Sequence, residues 1–239
     1  MERDIPVAAT KELLHAIMIR LKDMPEENRP KFYLAGESLG AYGILDNFAD
    51  ITDLYEVCDG AVFTGPPRIT KLTRKLALSR QRGSLERMPV IEDGRHTRFC
   101  IAPAHLRHDA FGNSYKNAWE SPRVVIAQHA SDPIVFWDKN LAFRRPDWLR
   151  EPGGGGIKAP ATMYTDTFAG VRWIPFITFW QIGLDQINSL RVPGGHGHNY
   201  YEEMFWYWEA VLGDQSRVRL TPRIAQRMKK FVDADQFWR

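Results

Sequence analysis

Lys31-Phe-Tyr-Leu-Ala-Gly-Glu-Ser-Leu-Gly-Ala-Tyr-Gly43 is the stretch on which the fold turns. The apolar run from Phe32 to Ala35 reads as a short buried strand. It leads straight into Gly36-Glu37-Ser38-Leu39-Gly40, and Ala41 to Phe48 then follows as a helix. A G-x-S-x-G pattern between a strand and a helix describes a turn so sharp that flanking side chains would strike the neighbouring element. Glycine is therefore expected on both sides, with the serine hydroxyl held out at the edge of a sheet.

Reading outward, the next apolar run is Cys58-Asp-Gly-Ala-Val-Phe-Thr64, stopped by Gly65-Pro66-Pro67. Strand, helix and strand within so short a span form a βαβ unit, which predicts a parallel sheet. The segment between them, Asp50 to Glu56, reads as a polar connection. On the N-terminal side, Leu14, Ile17, Met18 and Leu21 recur at helical spacing within residues 8–23. Arg123 to Gln128 is a further strand, ending in the polar cluster His129-Ala-Ser-Asp132-Pro133. Open α/β sheets keep their ligands at such strand ends. Residues 68–121 interrupt the rhythm with a basic amphipathic segment, Ile69 to Arg82, and a short strand at Thr97 to Ile101. They are expected to form a cap over the C-terminal edge of the sheet. Pro175 to Leu190 and Tyr201 to Leu212 read as helices, and Thr221-Pro222 opens a last one. Gly153 to Gly156 reads as a flexible tip, since no Lys-Ser/Thr follows to make a phosphate loop.

Composition narrows the function classes. The 239 residues carry 32 basic and 29 acidic side chains, a formal charge of +3. That balance lacks the concentrated basic face of a nucleic-acid binder. Cys58 and Cys100 are too few for a disulfide scaffold and read as buried free thiols. No apolar stretch is long enough to span a bilayer, and the chain as it stands is expected to be soluble.

A serine hydroxyl needs a base within hydrogen-bond reach, and the base needs a carboxylate to fix its tautomer. Asp132, directly after a strand, is the candidate acid. Asp59 precedes its strand and so lies at the wrong end of the sheet. The Gly-rich loop Val192-Pro-Gly-Gly-His196-Gly-His198-Asn199 supplies the candidate base. His198, nearer the following helix, is preferred, with His196 the alternative. The backbone N–H of Leu39 is the expected oxyanion donor. Aromatic side chains of the cap (Phe111, Tyr115, Trp119) and of the 201–208 segment are candidates to line an acyl pocket.

Five motifs in order resemble a bacterial α/β-hydrolase family whose members usually carry a multi-pass membrane domain ahead of the hydrolase domain. They are Gly36-Glu-Ser-Leu-Gly40, Asp59-Gly-Ala-Val-Phe-Thr-Gly-Pro-Pro67, His129-Ala-Ser-Asp-Pro-Ile-Val-Phe-Trp137, Arg144-Arg-Pro-Asp-Trp-Leu-Arg-Glu-Pro152 and Gly195-His-Gly-His198. The resemblance implies an α/β-hydrolase-like parallel sheet flanked by helices in a single domain over residues 1–239. It also implies a serine triad on Ser38, Asp132 and one loop histidine, but supplies no substrate; a small-molecule or lipid-like ester, with no cofactor or metal, is the separate expectation. Membrane proximity in a bacterium is implied as well. Two departures stand out. No strands precede the elbow strand, so the usual second oxyanion donor is missing. That strand also becomes an edge, where self-association into a homo-oligomer or burial by another segment is expected. In addition, a helix stands where a last strand is usual before the histidine loop.

The leading expectation is an esterase working through an acyl-enzyme on Ser38, with water or a hydroxyl as acceptor. Two alternatives remain at this level. One is a metal-dependent hydrolase using His129, Asp132, His196 and His198 as ligands. The other is a truncated, non-catalytic binding domain.

Overall fold

The computed structural model describes residues 4–150, 172–216, 219 and 221–234. Its centre is a parallel sheet of four strands in the order β1-β2-β4-β3. These are β1 (Tyr33–Glu37), β2 (Gly60–Thr64), β3 (Thr97–Cys100) and β4 (Arg123–Ala127). The central pair reads as unbroken apolar runs because both of its faces are covered. On one face Leu34, Ala61, Phe63, Phe99, Val124 and Ile126 join one buried cluster. On the other, Val62, Val125, Cys100 and Ala127 pack with Tyr200, Tyr207 and Val211.

The first face is covered by α2 (Leu39–Leu45), α3 (Ile51–Val57) and α4 (Lys71–Leu78). The long α1 (Asp4–Lys22) lies against α2. Their approach is close at Gly43, where a Cβ would stand 3.1 Å from the Pro6 carbonyl oxygen. The short α5 (Pro133–Phe136) follows β4, and α6 (Ile177–Asp185) packs on it. The second face is covered by α7 (Met204–Leu212), and α8 (Pro222–Ala234) ends the described chain. Arg123 guanidinium ties β4 to α7 by donating to the Ala210 carbonyl at 3.1 Å. No helix among the described residues is long and apolar enough to cross a membrane.

Several expectations are corrected. Asp50 to Glu56 is not a polar connection but the start of α3. Asp50 caps it and Asp53 returns a bond to the Asp50 N–H at 2.9 Å, a reciprocal box that satisfies two otherwise orphaned donors. Residues 68–121 are not a cap alone, because β3 leaves that segment to pair in parallel with β4, Thr97 opposite Val124. It has the backbone complement of β4 on one side and a single antiparallel bridge, Arg98 to Val90, on the other. The sheet is thus completed beyond β4 by an earlier segment, while helix α6 stands ahead of the histidine loop. The apolar face of α6 points outward: Ile177, Trp180 and Leu184 are all exposed. The Gly153–Gly156 tip lies outside the described residues.

β1 is the edge strand, as expected, and pairs only with β2 among the described residues. Its Tyr33 side chain is held by an edge-on contact with Trp208 and a 2.8 Å bond to Gln215. Both cysteines are buried and free.

Candidate active site

The turn after β1 carries Ser38 at φ 53° and ψ −119°, a conformation few non-glycine residues adopt. Its N–H donates to the Thr64 carbonyl at 2.9 Å, which fixes the turn to the end of β2. Gly36 is required there, since a Cβ would meet the backbone nitrogen of Ala41 at 2.6 Å. Gly40 is not required: a Cβ at that position has no atom within 4 Å. The expectation of two sterically forced glycines is half right, because the backbone of α2 crowds Gly36 but leaves open space beside Gly40. The Leu39 N–H, first of the helix, has no hydrogen-bond partner among the described residues.

Asp132 follows β4 and is buried. It caps α5 through Oδ1, which accepts from the Ile134 N–H at 2.8 Å. Its Oδ2 accepts from His198 Nδ1 at 2.7 Å and from the Tyr200 hydroxyl at 2.7 Å. With Nδ1 donating to the carboxylate, a neutral His198 ring presents a lone pair at Nε2. That Nε2 is buried and has no hydrogen-bond partner among the described residues. The ring lies against Gly65, where a Cβ would stand 2.5 Å from its Cε1. Gly65 directly follows Thr64, the residue bonded to the Ser38 N–H, so the serine turn and the imidazole both meet the C-terminal end of β2. No hydrogen bond joins Ser38 to His198 in this structure.

A family model for the α/β-hydrolase family matches residues 1–227, after the elbow and the acid–imidazole pair have already pointed there. The chain belongs to the α/β-hydrolase family. No curated protein and no solved structure gives a match.

In this α/β-hydrolase the two loop histidines are separated by the backbone between them. Gly197 donates its N–H to Ser131 Oγ at 2.8 Å, and its carbonyl accepts from His129 Nδ1 at 2.9 Å. The His198 N–H is bound in turn by the Ser189 carbonyl at 2.9 Å. These bonds press His198 inward, whereas His196 is exposed. The metal-ligand reading fails on the same geometry. His129 already uses both ring nitrogens, Nδ1 on Gly197 and Nε2 on Glu203 Oε2 at 2.7 Å. His196 points away, and no group of three or more metal-binding side chains forms among the described residues.

Sequence reasoning missed the layer behind the hydrolase's acid. Tyr200 donates to Asp132, accepts from the His129 N–H at 2.9 Å, and stacks on the His129 ring at 4.0 Å. Burial, reinforced by the Asp132 charge, holds the Tyr200 hydroxyl well above the ordinary range, so it stays a donor. Behind it, the Tyr207 hydroxyl donates to Glu203 at 3.0 Å. The spacing of Tyr200 and Glu203 after the histidine loop carried no signal, because aromatic residues there read as ordinary core. Glu37 sits beside the serine with a carboxyl raised above its usual range. Burial is the main cause; the His198 ring opposes the rise and the Asp132 charge adds to it.

The cap aromatics do not join the site. Tyr115 and Trp119 enclose the Arg98 guanidinium at 4.4 and 4.6 Å from their ring centres. Phe111 and Tyr115 line a separate cavity of about 340 Å³ that none of the site residues borders. Tyr201, Phe205 and Trp206 line a groove of about 350 Å³ against Ala225 and Met228 of α8. Its wall is tied to the histidine loop through Glu202, which packs under Gly194 and pairs with Lys229 at 2.8 Å.

Proposed function

We propose that this α/β-hydrolase is a serine esterase. Ser38 attacks the ester carbonyl while His198 Nε2 takes the hydroxyl proton, and Asp132 holds the imidazolium that forms. The alcohol leaves with that proton, and water or an acceptor hydroxyl, deprotonated by the same nitrogen, releases the acyl group. The observation that carries this reading is a buried imidazole whose Nδ1 is bound by Asp132 at 2.7 Å and whose Nε2 has no hydrogen-bond partner among the described residues. An unsatisfied buried nitrogen costs about 1–3 kcal/mol, and in this reading the cost is relieved when the serine hydroxyl rotates onto it. The unbonded Leu39 N–H supplies the oxyanion donor. A single donor of this kind is worth about 10²–10³ in rate.

The groove between α7 and α8 takes the acyl chain. Its lining is mostly apolar, with Glu202, Gln226 and Lys229 among the aromatic and aliphatic side chains, and it begins at Tyr201, one residue from the tyrosine that holds Asp132.

The test is labelling by a fluorophosphonate together with p-nitrophenyl ester turnover. Wild-type protein is expected to label once and to show a burst of p-nitrophenolate, and Ser38→Ala to lose both. Labelling that survives Ser38→Ala refutes the assignment. A well-folded chain that neither labels nor turns over any short ester is instead the binding domain weighed above.

A further inference from the structure

The motif Arg144 to Pro152 takes no part in the site above, yet its arginines converge with two others from distant segments. Arg68, Arg74, Arg144, Arg145 and Arg150 line one cavity of about 270 Å³. Arg68 comes from the turn after β2, and Arg74 from α4. The cavity is framed at the C-terminal side of the sheet, since the Arg68 N–H donates to the Ile134 carbonyl of α5 at 3.2 Å. Its frame is rigid: buried Glu86 takes the Arg68 guanidinium at 2.6 Å on Oε1 and the Trp148 N–H at 2.9 Å on Oε2.

The charge count is uneven. Two carboxylates, Asp138 and Asp147, share the lining with the five arginines. Asp138 is occupied in capping the next turn, accepting from the Asn140 N–H at 2.7 Å. Asp147 is paired with Arg80 at 3.4 Å and Arg150 at 3.6 Å. Among the described lining residues, five positive charges less two negative ones leave a surplus of three, and just outside the lining Glu86 on Arg68 and Arg80 on Asp147 offset one another. The side chains of Arg74 and Arg144 have no hydrogen-bond or ion-pair partner among the described residues. Like charges gathered in a concave, partly apolar wall repel one another and raise the local potential, so such a wall attracts an anion. Guanidinium forks suit an anion with several coplanar pairs of acceptor oxygens. A phosphate monoester carries about −1.5 to −2 charge at neutral pH and three such oxygens, enough to offset most of that surplus. A single carboxylate would leave most of it uncompensated.

We propose that this arginine cavity binds a phosphate monoester group. The inference stands apart from the esterase reading, since none of these arginines belongs to the proposed triad. The group is either that of a small soluble phosphate ester or the headgroup of a phosphatidate-type lipid.

The test is calorimetric titration of the full chain with inorganic phosphate and glycerol phosphate, beside cosedimentation with vesicles. The vesicles are phosphatidylcholine alone or phosphatidylcholine containing phosphatidic acid. The variants are Arg74→Gln with Arg144→Gln together, and Lys116→Gln as an exposed basic control on another cavity. Circular dichroism confirms that each is folded. Saturable binding of a soluble phosphate, weakened at least tenfold in the double arginine variant and unchanged in Lys116→Gln, supports a soluble ligand. Binding to phosphatidic acid vesicles only, lost in the same double variant, supports the lipid source. Absence of binding in both arms overturns the proposal, as does binding indifferent to the arginines or equally weakened by Lys116→Gln.

Discussion

The two glycines of the elbow should respond to alanine with opposite signs. At Gly36 the new Cβ would lie 2.6 Å from the Ala41 nitrogen, 2.8 Å from its Cα and 2.8 Å from the Gly40 carbonyl carbon. All three are backbone atoms of α2, and the helix cannot back away freely because Ala41, Tyr42 and Leu45 are buried beneath it. Overpacking of this kind costs about 1–3 kcal/mol. Relief requires either that α2 part from β1 or that Ser38 leave its φ of 53°. At Gly40 a Cβ enters open space in the first turn of a helix, where alanine is better than glycine by up to about 1 kcal/mol. The variants should therefore differ by about 1–4 kcal/mol, or roughly 2–16 °C in melting temperature for a chain of this size. Urea titration followed by tryptophan fluorescence reads the difference, with Gly36→Ala below wild type and Gly40→Ala at or above it. Fluorophosphonate labelling should slow in Gly36→Ala, because displacing a reacting group by about 1 Å costs on the order of 10²-fold. Equal stability of the two variants, or a Gly40→Ala protein weaker than Gly36→Ala, would refute the steric account of the turn.

Three further expectations concern the site and the core. Asp132→Asn should lower kcat by roughly 10³–10⁴ with modest change in KM, since it frees the imidazole tautomer; steady-state kinetics check this. Ala225→Trp, filling the α7–α8 groove, should cut kcat/KM for an octanoyl ester at least about tenfold while sparing the acetyl ester. That is the worth of two buried methylenes at about 0.8 kcal/mol each. The Cys58 thiol is pushed up to about 11 by burial. A raised folded-state value means that the folded chain keeps its proton while the unfolded chain loses it from about pH 8.5 upward. Stability is therefore complete below that pH and declines toward pH 11, by about 1.4 kcal/mol per unit of difference. Urea midpoints should fall less between pH 8 and 10.5 in Cys58→Ala than in wild type.

What the sequence disclosed was local, and what it hid was long-range. The elbow was legible because strand, serine turn and helix are adjacent, and the parallel sheet followed from one βαβ unit. The position of Asp132 just past the end of a strand was legible in the same way. By contrast, β3 is a short run whose membership in the sheet depends on β4, more than twenty residues later. The helix α3 was hidden behind Asp50 and Asp53, which look like loop residues until their reciprocal capping bonds are seen. The arginines of the second cavity come from three separated segments, and no spacing rule could have joined them.

The choice between His196 and His198 shows why such a site needs the whole fold. In sequence they differ little: each is preceded by a glycine, and His198 is only two residues nearer the following helix. What separates them is Gly197, whose φ of +52° lets it turn its N–H and carbonyl together onto the loop after β4. A Cβ there would stand 2.9 Å from the Ser189 carbonyl oxygen, so no other residue fits without moving the histidine. The loop that bears the acid therefore selects the histidine through bonds to the backbone before it, rather than through the imidazole alone. His129, read from sequence as a metal ligand, is one of the groups that makes this selection. Its donor on the Gly197 carbonyl and its stack on Tyr200 link both anchors of Asp132 to the one backbone turn that brings His198 inward. Asp132, Tyr200 and His198 are thereby tied together as one unit, and the serine turn meets that unit at the end of β2, where Gly65 lies against the His198 and Tyr200 rings.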